Sequence, residues 1–486
     1  MPIRPPDLVL TPILPELVLA GVAMLILLVD AARPSRGGRA MAVVAFLGIL
    51  AAAAVVVRQW QVPAADELTV LGGMVAVDRF ALFFRLVILG CAALGVLLGA
   101  HYLERTGEGR GEYYALLLFA TAGMTLLASA ADLIVVFLAL EVLSLSLYVM
   151  AGFSWRRLAS QEASMKYFLL GAFSSAFFLY GIALAYGAAG TTSLGGIAEA
   201  LSGPSESTAL ALAAGGLLIV GFSFKVAAVP FHMWTPDVYQ GAPSPVTGFM
   251  AAGTKVAGFA ALIRVTTVAL GPVAWELLPA LVAVSALTMV VGSILAIAQD
   301  DVKRMLAYSS IAHAGFVLVG VAAANQEGVS GSMFYLVAYA AMILGSFAVV
   351  IVVSRTGEGR TSLRSYRGLA RRNPVLGALL ALFLLSLAGI PPTAGFIAKV
   401  LVFEAAVRAG LEGLVVVAVL ASVVAAFFYI RLIVLAYMED PEEAERVPAE
   451  PAPGVALGVA AALTLVLGIL PGLLLDPLQD AAVLRW

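Results

Sequence analysis

Cysteine, histidine and lysine are nearly missing from this chain, at one, three and five residues in 486. The single cysteine, Cys91, cannot form an internal disulfide. With no CxxC pair and no Fe–S spacing, the sequence offers no cluster site of its own. It has no glycine-rich nucleotide fingerprint either. The histidines, His101, His232 and His313, do not pair across one level as haem ligation requires, and lone histidines inside apolar segments more often serve proton relays. Charge is also scarce. Charged residues make up 12% of the chain and apolar residues 62%, against about 25% charged in a typical soluble domain. No water-soluble core hides that much apolar side chain, so the chain reads as a membrane protein.

What is present is a series of long apolar runs. A span needs about 20 apolar residues to cross roughly 30 Å of hydrocarbon, and that rule gives about fourteen candidates. They begin near Leu8, Ala40, Val77, Tyr113, Leu133, Met165, Ala209, Pro245, Trp275, Met305, Met333, Val375, Leu414 and Gly454. The first run follows Pro5 and Pro6 and lacks a basic leader or a small-residue cleavage site, so a retained helix is expected. Basic residues gather in alternate connections: Arg33, Arg36, Arg39, Arg105, Arg110, Arg156, Arg157, Lys303, Arg304, Arg446 and the cluster Arg355, Arg360, Arg364, Arg367, Arg371 and Arg372. The other side carries only Arg58, Arg79 and Arg408. The positive-inside rule then puts both termini outside the cytoplasm.

The lysines are placed unusually. Lys166, Lys225, Lys255 and Lys399 interrupt apolar runs, while the connections use arginine. An ammonium out of water can give up its proton, whereas a guanidinium keeps its charge almost anywhere, so this allocation points to proton chemistry at membrane depth. Two runs also carry breaks. The seventh reads FKVAAVPFHMW around Pro230, and the twelfth reads LAGIPPTAGF around Pro391 and Pro392. Proline removes a backbone donor and clashes with the preceding turn, so each helix must be interrupted. The freed backbone tolerates membrane depth only when packed in protein or lining a hydrated cavity. A lysine sits beside each break. Paired breaks in the seventh and twelfth spans, which run in opposite directions, suggest inverted five-helix repeats; two ordinary proline kinks are the plainer alternative.

The expected fold is therefore all-α and polytopic, a single bundle with discontinuous helices 7 and 12. Residues 1–112 would hold the first three helices, 113–270 repeat one, 271–437 repeat two, and 454–486 the last helix and tail. Glu141 lies about nine residues into its run, Lys255 about ten into its own and Lys399 about nine from the end of its own, all near the midplane at about 1.5 Å per residue. Glu141, Ser144 and Tyr148 share one helical face, expected to look into the bundle. Lys166 lies within two turns of Arg156 and Arg157, so it can either snorkel to the interface or act as a relay. A static ion pair is the bland reading of the deep charges. It explains them poorly, because an apolar pair is usually no less stable than a buried ionic one.

The segment Phe224 to Gly253, FKVAAVPFHMWTPDVYQGAPSPVTGFMAAG, together with LEVLS at 140–144, DVKRMLAYSSIAH at 301–313 and GIPP at 389–392, resembles subunit N of bacterial proton-pumping NADH:quinone oxidoreductase, respiratory complex I. The resemblance covers essentially the whole chain. Sister subunits L and M typically carry histidines soon after the PxPV motif, where this chain has GFMAAG; M typically has a glutamate where Lys399 stands, and no long lateral helix of the L type follows the last span.

The resemblance implies a proton-translocating membrane-arm subunit in a bacterial inner membrane, with both termini on the outer side. Glu141 would pair with Lys225, Lys255 would be the central relay, and Lys399 would communicate with the far side. Ser144, Ser223, Thr254, Tyr148, Lys166, His232 and His313 could bridge the gaps through hydroxyls, rings and water. No cofactor would sit on this chain; FMN, Fe–S clusters and quinone would belong to other subunits. The partners would be the antiporter-like subunit M, small subunits such as K, J and A, and lipid, with no nucleic acid. An Mrp-type cation/proton antiporter subunit is the alternative, although lysines outnumber midplane carboxylates here and a sodium site wants oxygen ligands. A scaffold with vestigial charges is a third reading.

Overall fold

The computed structural model describes residues 10–32, 38–61, 69–70, 72–203, 208–354, 358–441 and 451–484. Pro5, Pro6, the start of the first run at Leu8, and Arg33, Arg36, Arg355 and Arg446 lie outside them. Thirteen helices among the described residues are long and apolar enough to cross a membrane: Thr11–Ala32, Arg39–Trp60, Arg79–Thr106, Gly111–Ser129, Leu133–Ala151, Leu158–Ala189, Thr208–Val226, Ser244–Ala269, Gly271–Ile297, Val302–Ala322, Gln326–Ser354, Glu412–Met438 and Ala452–Ile469. Two shorter helices, Pro374–Ala388 and Ala394–Arg408, take the place of the expected twelfth span. Below, each span keeps its place in the expected order, so Glu412–Met438 is the thirteenth. The described strands form one antiparallel pair, Thr69–Val70 with Val75–Ala76.

Two helices begin about two turns before their apolar runs. The sixth starts at Leu158 rather than Met165, and the eleventh at Gln326 rather than Met333. Their first turns are polar, with Ser160, Gln161 and Glu162 in one and Gln326 and Glu327 in the other, so hydropathy alone does not register them. The eighth span is buried except for Thr266 and Thr267 near its end, and the tenth and eleventh are nearly all buried. These three form the central column. The first, sixth, ninth and thirteenth spans present broad apolar faces outward, which suits hydrocarbon or a neighbouring chain.

One local device occurs twice. Asp132 caps the fifth span and accepts from Ile134 N at 2.8 Å and from Thr192 Oγ1 at 2.7 Å, while Leu133 N donates to Thr192 O at 2.9 Å. Asp301 caps the tenth span in the same way: Thr361 Oγ1 donates to its carboxylate at 2.5 Å, and Val302 N donates to Thr361 O at 2.7 Å. Each aspartate is bridged in antiparallel fashion to a serine, Ser193 or Ser362, that caps the following helical turn. Both Asp–Thr pairs span 60 residues. From Asp132 to Asp301 and from Thr192 to Thr361 the shift is 169 positions.

The first spans are tied to this column by buried charge. Arg264, near the end of the eighth span, donates in bidentate fashion to Asp78 at 2.6 and 2.7 Å, and Arg85 pairs with Glu16 at 3.0 Å. Lipid cannot solvate these groups, so each charge depends on its partner. Asp78→Ala should leave Arg264 buried without a counter-ion and destabilise the fold by about 3–5 kcal/mol. Asp78→Ala combined with Arg264→Met should recover most of that loss. Thermal denaturation of the purified assembly and its yield check both outcomes.

Candidate functional site

Each break is built so that its loosened backbone finds partners. The seventh span stops one residue past Lys225, at Val226, and Ala227 then adopts a left-handed conformation with φ of 62°. Ala228 N donates to Ser223 O at 2.7 Å and Val229 N to Thr288 Oγ1 at 2.9 Å. Helix resumes at Trp234, whose indole Nε1 reaches back to Phe224 O at 3.0 Å. Protein groups thus replace the missing helical bonds around Pro230, as membrane depth requires. In the twelfth span, Gly389 ends Pro374–Ala388 with φ of 88° and helix resumes at Ala394, beyond Pro391 and Pro392. A Cβ on Gly389 would lie 2.9 Å from Lys399 Cδ. Both its φ and the packed lysine stem call for glycine there.

Lys225 is buried, and its Nζ donates to Ser144 Oγ at 2.8 Å. Glu141, one turn before Ser144, instead accepts from Ser175 Oγ of the sixth span at 2.5 Å. The expected direct pair of Glu141 with Lys225 is therefore not formed. The serine intercepts the amine, and the sixth span supplies a nearer partner to the carboxylate. Glu141, Ser144, Tyr148, Ser175 and Lys225 nonetheless line one cavity of about 20 Å³, which is room for a single water. Glu141 is only half-buried, and its neighbours Leu138, Val142 and Leu145 are exposed. Its face lies along the flank of the fifth and sixth spans rather than wholly inside the bundle.

Lys255 follows a widened turn of π-helix at Met250–Thr254, an irregularity frequent at functional sites. Its Nζ donates to Ser310 Oγ at 2.7 Å and to the Ser310 carbonyl, and it lies 5.3 Å from the Tyr339 ring centroid. Thr254, expected as a bridging hydroxyl, bonds back to Met250 O within its own helix. Tyr239 OH lies 3.5 Å from Ser310 Oγ. The adjacent Ser309 Oγ lies 2.5 Å from Tyr429 OH, which in turn lies 3.1 Å from His313 Nε2. His313 Nδ1 lies 2.8 Å from Tyr335 OH. A buried hydroxyl–imidazole cluster thus starts beside Lys255 and leads away from it.

Lys399 Nζ donates to Ser422 Oγ at 2.7 Å, to Ala388 O at 2.8 Å and to Leu387 O at 3.2 Å. It caps the carbonyl end of Pro374–Ala388, where the helix dipole favours a cation. Lys166 is different: it is paired with Glu162 and Asp237 at 2.7 Å each, and Arg304 shares Asp237 at 2.6 Å. His232 is half-buried in the interrupted segment, and no described hydrogen bond links it to Lys225 or Lys255. No ion pair holds Lys225, Lys255 or Lys399 among the described residues. Each has one serine hydroxyl partner, which accepts from an ammonium and can equally donate to a neutral amine, and Lys255 and Lys399 donate to backbone carbonyls as well.

Comparison with known proteins fits this geometry. Residues 130–425 match the family described as NADH:quinone oxidoreductase/Mrp antiporter, TM. NADH-quinone oxidoreductase subunit N of Trichlorobacter lovleyi is 44% identical over 475 residues, covering 97% of this chain and 96% of that protein. The chain belongs to the NADH-quinone oxidoreductase subunit N family. A chain of respiratory complex I from Thermus thermophilus, solved with bound aureothin, superposes with a TM-score of 0.81 at 40% identity, covering 95% of this chain and 98% of that one. A chain of the Mrp complex from Dietzia sp. reaches a TM-score of 0.85 at 22% identity, over 97% of each chain, and shares the fold.

Several polar groups of this subunit N family member were not singled out from sequence. Arg85, Glu16 and Arg264 interrupt apolar runs as plainly as the lysines do, so their signal was available. Glu358 was not legible, because it sits in a basic connection with no apolar context. It is buried against Lys303 Nζ at 2.8 Å and against Ser244 N and Oγ at 2.7 Å each. Burial pushes its carboxyl up, but Lys303 and the Ser244 donors outweigh burial and hold it below the usual carboxylate range. An experimental map of the assembly at about 2.5 Å should show one ordered water in the cavity touching both Glu141 and Lys225. An empty cavity, or a direct contact between the two side chains, would contradict this arrangement.

Proposed function

We propose that this chain carries protons through the membrane arm of an NADH:quinone oxidoreductase, by a relay of Glu141 with Lys225, then Lys255, then Lys399. One observation carries the reading. The three deepest lysines are the ones without a counter-ion, whereas Lys166, Lys303, Arg85 and Arg264 all have one. A static role would favour partners that fix the charge. Hydroxyl and carbonyl partners leave an amine free to give up a proton and take it back. Tyr148 lines the first cavity, and His313 reaches, through Tyr429, Ser309, which is next to the central lysine's partner Ser310.

The recurrence of the capped Asp–Thr device at a shift of 169 residues supports an inverted repeat, with the fifth span answering to the tenth. At that shift Glu141 falls on Ser310 and Ser144 on His313. The second repeat thus has a serine where the first has its carboxylate, and Lys255 occupies the place facing that serine. Redox chemistry belongs to other subunits, in keeping with a sequence that has one cysteine and no Fe–S spacing. FMN, Fe–S clusters and quinone would be held there. The half-buried Glu141 on the exposed flank of the fifth and sixth spans suits a neighbouring subunit whose charge perturbs it, and M, K, J or A would be such neighbours. The concentration of arginine on one side supports an inner-membrane placement with both termini outside the cytoplasm.

Lys255→Ala should abolish or sharply reduce proton pumping and the quinone reduction coupled to it in proteoliposomes, while assembly survives. Lys255→Arg should be nearly as harmful, since a guanidinium does not release a proton at working pH. Pumping at the wild-type rate by a well-assembled arginine variant would rule out the relay role. Replacing Pro391 and Pro392 together by alanine should favour continuous helix, remove the carbonyl acceptors from Lys399 and slow proton transfer; the same pumping assay reads this.

A further inference from the structure

One aromatic ring touches both the central cluster and Lys399. Phe316 lies one turn beyond His313 on the tenth span and is buried. Its ring centroid is 5.8 Å from that of His313, and Lys399 Nζ lies over the same ring at 4.8 Å from its centroid. Phe403, one turn past Lys399 on Ala394–Arg408, packs against it with centroids 6.2 Å apart. Both nitrogens of His313 are engaged by Tyr335 and Tyr429, and Lys399 is engaged by Leu387, Ala388 and Ser422. Among the described residues no hydrogen bond crosses from one cluster to the other.

We propose that Phe316 is a gate in the proton path, closed by the charge of the lysine it guards. The inference rests on the relay reading above. Protons move along hydrogen-bonded groups or water, and a phenyl ring offers neither. A charged Lys399 attracts the face of the ring beneath it, and burial strengthens that attraction. Once Lys399 has passed its proton on, the attraction is gone and the ring is free to turn, admitting water between His313 and the neutral amine. The arriving proton recharges Lys399 and draws the ring back. The path is open only while Lys399 can accept, and it shuts against return flow to His313 once Lys399 is charged. No bond other than those to the moving proton is made or broken, and no co-reactant is needed.

The test uses the whole complex in proteoliposomes. With electron transfer inhibited, Phe316→Ala should collapse an imposed pH gradient severalfold faster than wild type. During turnover it should pump fewer protons per NADH, with uncoupled NADH:quinone turnover unchanged. Phe316→Leu keeps most of the volume but lacks the aromatic face, and should leak less than the alanine variant but more than wild type; it carries the test if the alanine variant fails to assemble. Adding Lys255→Ala to the leaky variant should stop the leak, because the leak runs through the relay. Phe316 variants as tight as wild type at full pumping yield would overturn the gate, and so would a leak that survives Lys255→Ala. Wild-type pumping by Lys255→Ala alone would overturn the relay reading itself, separately from the gate.

Discussion

Burying an amine in hydrocarbon without a counter-ion is the constraint on which the rest of the molecule depends. A membrane interior does not hydrate an ammonium, so the protein must surround it with oxygen atoms that do not trap the charge. Regular helix supplies few of them, because most of its carbonyls are already bonded within the helix. The two breaks answer that need differently. At Lys399 the broken helix turns its own last carbonyls, from Leu387 and Ala388, onto the amine. At Lys225 the break loosens the chain just past the lysine, the freed backbone is taken up by Thr288 and Trp234, and Ser144 supplies the oxygen. Lys255, in a helix without such a break, uses the hydroxyl and the carbonyl of Ser310 on the tenth span.

The same constraint separates unpaired buried charges from paired ones. Arg264 with Asp78, Arg85 with Glu16 and Lys303 with Glu358 are buried and paired, and each joins segments far apart in sequence. They fix the first spans and the connection after the eleventh span to the central column. Between these anchors, each unpaired lysine is met by a serine hydroxyl, Ser144, Ser310 or Ser422, which can accept from an ammonium or donate to a neutral amine. At the shift of 169 residues at which the Asp–Thr device recurs, Glu141 of the fifth span falls on Ser310 of the tenth, so the two capped helices present different groups at that position.

Much of this was legible in the sequence because membrane folding is a local matter. Apolar length gave the spans, proline and glycine gave the breaks, and isolated lysines in apolar runs marked the buried amines without a counter-ion. Partners were not legible. Ser175, Tyr335 and Tyr429 are ordinary residues in ordinary helices until packing brings them to Glu141 and His313. Periodicity offered no help in the eighth span, which is buried on every side and so has no polar face to set its rotation. The direct contact of Glu141 with Lys225 was expected from the family resemblance; the structure gives each a serine hydroxyl of its own, Ser175 and Ser144, a detail set by side-chain packing. The repeated Asp–Thr spacing was present in the sequence, but two short polar pairs 60 residues apart stand out only once their hydrogen bonds are seen.

The central claim is that Lys255 works by losing and regaining a proton rather than by carrying a fixed charge. The most direct measurement is the pH profile of proton pumping by assembled complex in which Lys255 is replaced by γ-thialysine through genetic encoding. Its amine has nearly the same shape and releases its proton more readily. If Lys255 titrates during turnover, pumping is retained and the limb of the profile that reports proton release moves to lower pH. A profile superimposable on that of the wild type, at the wild-type rate, would contradict the account.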